Sequence, residues 1–342
     1  MPAEWETHEA TWIAWPHHEP DWPGKLECIP WVYAEIVRVL AAGERVEILC
    51  HDQAVADNAR ACLERNGVSS HNYRLHLLPT DRGWLRDSAP TAVRHGDSVE
   101  WIHWEFNAWA KYDNYVMDQG VPPFIRRVTG RAAVQAFRPD RPDCRVVLEG
   151  GAIETDGQGT LLVTEECLLS AQQCRNPGLT REGYEQVFAR YLGIRKTIWL
   201  ARGCAGDDTH GHIDDIARFV APATVVLACE SNADDENFAS SQENLHRLES
   251  ATDADGRPLR VLQLPMPKPV VFEGQRLPAS YANFYIANRT VLVPTFNDPH
   301  DREALNLLAD CFPTHEVVGI HSRDLVWGLG TLHCLSQQQP AL

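Results

Sequence analysis

The feature that most constrains this chain is a pattern written four times: a polar loop, a strand, a tight turn and a second strand. It runs through SAPTAVRHGDSVEWIHW (88–104), GGAIETDGQGTLLVT (150–164), HIDDIARFVAPATVVLAC (212–229) and YANFYIANRTVLVPTF (281–296). Turn-forming residues at His95–Asp97, Asp156–Gly159, Ala221–Ala223 and Asn288–Arg289 separate the two strands of each copy. The copies share a pattern rather than a sequence, and the two chain ends are expected to complete a fifth. A ring of such ββαβ-type units would bring the polar loops to one central axis. An ordinary α/β sandwich is the plainer alternative.

Helices are expected between the copies. In 53–66, Val55, Ala59, Cys62 and Leu63 fall on one helical stripe, with Asp52 to cap its start and Gly67 to end it. The same periodicity marks 181–192, between Thr180 and Gly193, and 300–312, stopped by Pro313. Helices are also expected at about 31–42 and 236–250, and strands at 45–50, 145–149, 196–200, 260–264 and 316–320. No Gly/Ser/Pro linker divides the 342 residues, so one domain spanning 1–342 is expected.

Composition narrows the partners. Lys and Arg number 31 against 47 Asp and Glu, a formal net charge of −16, which argues against a nucleic-acid surface and is compatible with a cationic substrate. No apolar run reaches the roughly 18 residues of a membrane span. The start, MPAEWETHEATWIAWP, lacks a basic stretch followed by an apolar one, so a cytoplasmic protein is expected. Ten scattered cysteines with no Cys-x-x-Cys pair point to reduced thiols, most of them small core residues, rather than to a structural zinc site or a disulfide framework.

Chemistry concentrates in the polar loops. In CAGDDTHGHIDDIARF (204–219), His210, His212 and Asp214 stand two apart, and a strand would put all three on one face. A metal needs that arrangement, and so does metal-free proton transfer. Cys334 is the candidate nucleophile, His212 the best general base on offer, and Asp87, Asp214 and Glu149 a carboxylate set suited to a planar guanidinium. Each has a bland reading: Cys334 is one of ten cysteines, Asp87 adjoins Arg86, and Glu-Gly-Gly is a common turn. The combination is what stands out. The strongest rival from another class is a metal-dependent amidohydrolase with His210 and His212 as a metal pair, although no convincing set of further ligands follows. A non-catalytic binding module is a further alternative.

Seven motifs in order, MPAEWETHEATWIAWP, WLRDSAP, FNAWAKYDN, LEGG…DGQGTLLVTEECLL, THGHIDDIARF, PASYANFYIAN and GTLHCLSQQQPA, resemble the agmatine deiminase family, also called bacterial peptidylarginine-deiminase-like. The match runs from Met1 to about Ala341. The resemblance implies the α/β pentein propeller, five ββαβ repeats about a pseudo-fivefold axis, without metal or cofactor. It implies Cys334 as nucleophile, His212 as acid/base, Asp87 and Asp214 as holders of the guanidinium, and Glu149 as support for the histidine or the substrate. Trp84, Asn107, Trp109 and Asp208 are the implied substrate-binding residues. The partner expected is a small cationic guanidino compound, not nucleic acid or membrane, and a homo-oligomer is left open. Deimination of agmatine is the first expectation. Peptidyl-arginine, free or methylated arginine, and amidino transfer to an amine are alternatives on the same architecture. The chain departs from the family at two places: GLGTLHC stands where agmatine-specific members read GGGNIHC, and RDSAP where they read RDTGP.

Overall fold

The computed structural model describes residues 1–342. Its strands are β1 (His8–Ala14), β2 (Arg45–Cys50), β3 (Tyr73–Leu77), β4 (Thr91–His95), β5 (Ser98–His103), β6 (Ala133–Gln135), β7 (Glu154–Thr155), β8 (Thr160–Thr164), β9 (Lys196–Leu200), β10 (Ala217–Ala221), β11 (Thr224–Cys229), β12 (Arg260–Pro265), β13 (Val271–Phe272), β14 (Gln275–Arg276), β15 (Tyr285–Ile286), β16 (Thr290–Thr295), β17 (Glu316–His321) and β18 (Ser336–Pro340). The helices are α1 (Ile29–Leu40), α2 (Gln53–Arg65), α3 (Leu85–Ser88), α4 (Val121–Thr129), α5 (Glu165–Leu169), α6 (Arg181–Val187), α7 (Glu236–Glu249) and α8 (His300–Cys311).

One pairing rule recurs in five sheets. A strand pairs antiparallel with the next, which pairs parallel with a third across a helical connection. The sets are β4–β5–β6, β7–β8–β9, β10–β11–β12 and β15–β16–β17. In the remaining sheet β18 is antiparallel to β1, with Trp12 opposite Gln337, and β1 is parallel to β2; β3 adds a fourth strand. Strands from the two chain ends thus lie side by side, with the amide of Ala341 donating to the carbonyl of Thr7 at 2.8 Å. The structure is a mixed α/β fold, and β13–β14 forms a small separate hairpin.

The helices cover these sheets with their apolar stripes. In α1, Tyr33, Ile36, Val37 and Leu40 are buried, and in α2 Ala56, Ala59, Cys62 and Leu63. Each large side chain so placed contributes about 1.5–3 kcal/mol. Asp52 caps α2 through the amide of Val55 at 2.8 Å, as its position predicts. The stripe at 181–192 changes winding after Val187 and continues as a wider turn over Phe188–Leu192, ended by Gly193 at φ 71°.

Two expectations need correction, and one helix has no counterpart among them. Residues 145–149 form no strand; Arg145 and Val147 make only isolated bridges, to Phe137 and Glu105. Helix α4 was not foreseen from periodicity, its start being two prolines that suit a first helical turn. The segment from His212 to Asp214 is not a strand either: Ile213–Asp215 is a single tight helical turn.

A lead-in loop precedes the first strand of each pairing set. These loops carry Asp87 ahead of β4, Glu149–Gly151 ahead of β7, His212–Asp215 ahead of β10, Asn283 ahead of β15 and His333–Cys334 ahead of β18. Beneath them runs a buried ion network. Arg218 reaches Glu4 at 2.8 Å and Glu154 at 3.0 Å, and Arg86 reaches Glu4 at 3.2 Å and Gln338 at 2.7 Å. The imidazole of His333 spans Glu4 at 2.8 Å and Asp214 at 2.6 Å, so the network touches the site from below.

Candidate active site

Cys334 lies on the floor of a pocket of about 660 Å³, its mouth included, together with Asp87. Trp84, Trp109, Arg82 and Leu329 form walls, and Asp21, Tyr112 and Asp208 also line it. The glycines of Gly328-Leu329-Gly330 are required by packing. A Cβ on Gly328 would come within 2.5 Å of the Trp22 indole nitrogen, and one on Gly330 within 2.9 Å of the Trp84 ring. Leu329, between them, adopts φ 67°, a left-handed conformation that costs a branched side chain roughly 1–2 kcal/mol.

Three buried carboxylates, Asp87, Asp214 and Asp215, bear on the sulfur, and His212 and Glu149 lie next to Asp87. Asp214 Oδ2 is 3.7 Å from Cys334 Sγ, and its Oδ1 has no hydrogen-bond partner. Asp87 accepts from the amide of Gly151 at 3.0 Å and from the Trp109 indole at 2.8 Å. Each carboxylate oxygen can accept a second donor, so a planar N–H fork could still be held. Gly151 must be glycine: a Cβ there would fall 2.5 Å from His212 Nδ1. His212 is fully buried, 3.9 Å from Asp87 Oδ1 through Nδ1 and 3.9 Å from Glu149 Oε2 through Nε2, and neither ring nitrogen is hydrogen-bonded. Glu149 is anchored at its other oxygen by Arg175 at 3.1 Å.

The protonation states follow from these neighbours. Burial drives Asp87 up, offset in part by His212 and reinforced by Asp214 and Glu149, and the result is about 6. Burial also pushes Glu149 up, but Arg175 and His212 outweigh it and hold it at about 2. Burial pulls His212 down, yet Asp87, Cys167 and Glu149 together raise it well above the ordinary imidazole range. The thiol of Cys334 is raised well above its usual value by burial and by Asp214, Asp215 and Asp87. An imidazolium therefore sits between Asp87 and Glu149, while Asp87, Asp214 and Asp215 keep the Cys334 thiol protonated.

Of the nominated substrate-binding residues, Trp84, Trp109 and Asp208 line the pocket and Asn107 does not. Asn107 works from behind: its Oδ1 accepts from the amide of Ala110 at 2.9 Å, bracing Ala108–Trp109–Ala110 at φ 47°, 59° and 52°. Gln173 adds a bond to the carbonyl of Trp109 at 3.2 Å. The Asp208 carboxylate is held by Lys111 and, at 2.6 Å, by the Tyr112 hydroxyl. His210 turns away at φ 65° and meets Ser170 at 3.1 Å, so the two histidines do not pair. The carboxylate of Asp207 gathers the amides of Gly211 at 2.8 Å and His212 at 2.9 Å, which fixes the loop.

Residues passed over in the sequence reading also shape the site. Arg175 belongs to it through Glu149, and Asp21 and Arg82 through the pocket wall. No local signal marks them, since their partners lie 26 to 61 residues away. Two buried triads, Glu149 with Cys167 and His212, and Asp214 with Asp215 and Cys334, could each offer a cation three ligand atoms. Both consist largely of the groups just described, so a cation would compete with their proton chemistry.

Several known proteins share this arrangement of chain. The agmatine deiminase of Ectopseudomonas mendocina is 37% identical over 100% of this chain and 95% of its own. The solved structure of the agmatine deiminase of Enterococcus faecalis superposes with a TM-score of 0.90 at 29% identity, covering 99% of this chain and 95% of that one. An amidinotransferase from Microseira wollei, at 13% identity and a TM-score of 0.59 over 99% of this chain and 96% of its own, shares the fold. A model of the family described as Porphyromonas-type peptidyl-arginine deiminase matches residues 1–340. With that match over nearly the full length and the identity to curated relatives, the chain belongs to the Porphyromonas-type peptidyl-arginine deiminase family.

Proposed function

We propose that this protein hydrolyses the guanidinium group of agmatine, giving N-carbamoylputrescine and ammonia. The observation that carries the reading is a sulfur nucleophile sharing a pocket floor with Asp87 and lying 3.7 Å from Asp214, the surroundings a flat cation would fill. Asp87 and Asp214 hold the plane of the guanidinium and set its carbon over Cys334. The arriving positive charge offsets the acids that keep the thiol protonated; the S–H bond breaks, its proton is released to solvent, and the thiolate attacks. The C–S bond forms while the cation's charge is neutralised. His212 passes its proton to one nitrogen, the C–N bond breaks and ammonia departs, leaving an amidino-thioether. Water then gives a proton to His212 and its oxygen bonds to the same carbon; the C–S bond breaks, the remaining O–H proton passes to the departing sulfur to restore the thiol, and a neutral ureido product is released. Glu149, itself clamped by Arg175, holds the charged form of His212.

The mouth of the pocket favours a substrate whose far end is an amine. Asp21 is buried and lines it with one carboxylate oxygen unpartnered, and Asp208 stands on the same lining. The cation there, Arg82, is already engaged by Asp21 at 2.5 Å, by Asn114 at 3.1 Å and by the face of Tyr112 at 4.1 Å. Only its Nε–H is left without a partner, so a carboxylate-bearing tail such as that of free arginine would have to share a cation that Asp21 already neutralises. The names of the relatives point the same way.

The reading extends to architecture and setting. The five sheets are taken as the blades of a pentein propeller about a pseudo-fivefold axis, with 1–342 as one such domain; the shared pairing rule and the convergence of five lead-in loops support this. All ten cysteines are free, which fits a reducing cytoplasm. No helix is long and apolar enough to cross a membrane. The test is ammonia release with agmatine, free arginine and a blocked peptidyl-arginine side by side, each with and without a chelator. Agmatine is expected to be turned over fastest, unaffected by chelation. Faster turnover of blocked peptidyl-arginine would reassign the substrate, and loss of activity with the chelator would reassign the chemistry.

A further inference from the structure

Four of the five lead-in loops supply a group to the reaction described above; the fifth supplies Asn283. Its side chain is fully buried and makes the densest set of bonds in the site. Oδ1 accepts from the Thr331 hydroxyl at 2.8 Å and from the amide of His333 at 3.0 Å, and it lies 3.4 Å from the amide of Cys334. Nδ2 donates to Asp215 Oδ1 at 3.0 Å and to Cys334 Sγ at 3.0 Å. This network fixes which end of the amide is which. A flipped side chain would turn its NH₂ onto two N–H groups and its oxygen onto a carboxylate.

We propose that Asn283 is a further catalytic residue, whose Nδ2–H holds the Cys334 sulfur and stabilises its anion at the moment of attack. A donor is needed because the carboxylates facing the sulfur, Asp87, Asp214 and Asp215, oppose a negative charge on it. Among the leading influences on this thiol, the bond from Asn283 is the one that favours the thiolate. Hydrogen bonds to an ionised group are shorter and about twice as strong as neutral ones, so the bond tightens as the proton leaves. Asp215 and Thr331 are positioning residues that keep the amide aimed. The same side chain also ties the nucleophile loop to the chain ahead of β15, so the sulfur and its donor move together.

The proposal rests on Cys334 being the nucleophile, and its test needs no substrate. Alkylation of Cys334 by iodoacetamide is followed by mass spectrometry across pH in the wild type and in Asn283→Ala. The variant's profile is expected to move to higher pH, with the rate at pH 8 lower by about tenfold to a hundredfold. A folded variant with an unmoved profile overturns the proposal, whatever the outcome with agmatine. Should Asn283→Ala fail to fold, the uncharged Asn283→Leu fills the same volume while removing the donor, and is read by the same criterion. In the wild type itself, the Asn283 side-chain amide resonance is expected to titrate with the midpoint of Cys334 alkylation. A resonance that stays fixed through that midpoint overturns it independently.

Discussion

Two buried polar regions lie against each other in this molecule, and they are built on opposite rules. Below, the network of Glu4, Arg86, Glu154 and Arg218 is saturated: Arg218 has a carboxylate or carbonyl on each of its three nitrogens, and Glu4 is met by two arginines, His333 and the amide of Ile286. Above, both nitrogens of His212, one oxygen of Glu149 and one of Asp214 are unpartnered. Burying a polar atom without a partner costs stability, so the upper layer persists because the lower one holds its loops. The difference separates scaffold from chemistry without reference to any relative. In these two layers, complete partners go with holding the fold, and spare lone pairs and protons with the chemistry.

That contrast can be broken in order of effect. Cys334→Ala is expected to lower ammonia release by more than about 10⁴-fold with little change in thermal midpoint; retained turnover would mean the upper layer is not the reaction centre. Arg218→Met leaves Glu4 and Glu154 buried without their shared cation and is expected to cost about 3–5 kcal/mol in denaturant unfolding. A loss of rate at unchanged stability would blur the division. The third handle is pH. Substrate capture needs Asp87 ionised, and its value in the free protein is about 6, raised by burial. The profile of kcat/KM for agmatine should therefore rise with pH through the neutral range, as the raised thiol of Cys334 must lose its proton, and steepen by about a further tenfold per unit below pH 6; Glu149, held near 2, stays ionised throughout. The smallest effect expected is that of Leu329→Gly. Relief of the left-handed backbone offsets the lost burial and the added freedom of glycine, so stability stays within about 1 kcal/mol while KM rises as the pocket wall recedes. An unchanged KM would remove Leu329 from the pocket's working surface.

How far the sequence could be read depended on how local each cause was. The strand–turn–strand pairs and the helices at 53–65 and 300–311 announce themselves because periodicity, and for the first helix the Asp52 cap, acts within a few residues. The span 145–149 has the composition of a strand, but only two of its residues find bridging partners, and that depends on what lies opposite. His212 and Asp214 were recognised, while the strand expected to align them was not there; a tight turn delivers them instead. Asn107 was nominated for the substrate and braces a strained turn, a distinction that only the direction of its side chain reveals. Asn283 stood in view within PASYANFYIAN, but an asparagine carries no mark of being aimed at a sulfur 51 residues further on.

The acids around Cys334 have a consequence for life between turnovers. Peroxide and other small electrophiles react with sulfur anions far faster than with thiols. A centre that releases its anion only under a bound cation is exposed to such damage only while the pocket is full, when the ligand itself blocks the way in. The resting protein is thus expected to tolerate oxidants that would quickly spoil an enzyme with a permanently charged cysteine, its reactivity switched on and off with each molecule it processes.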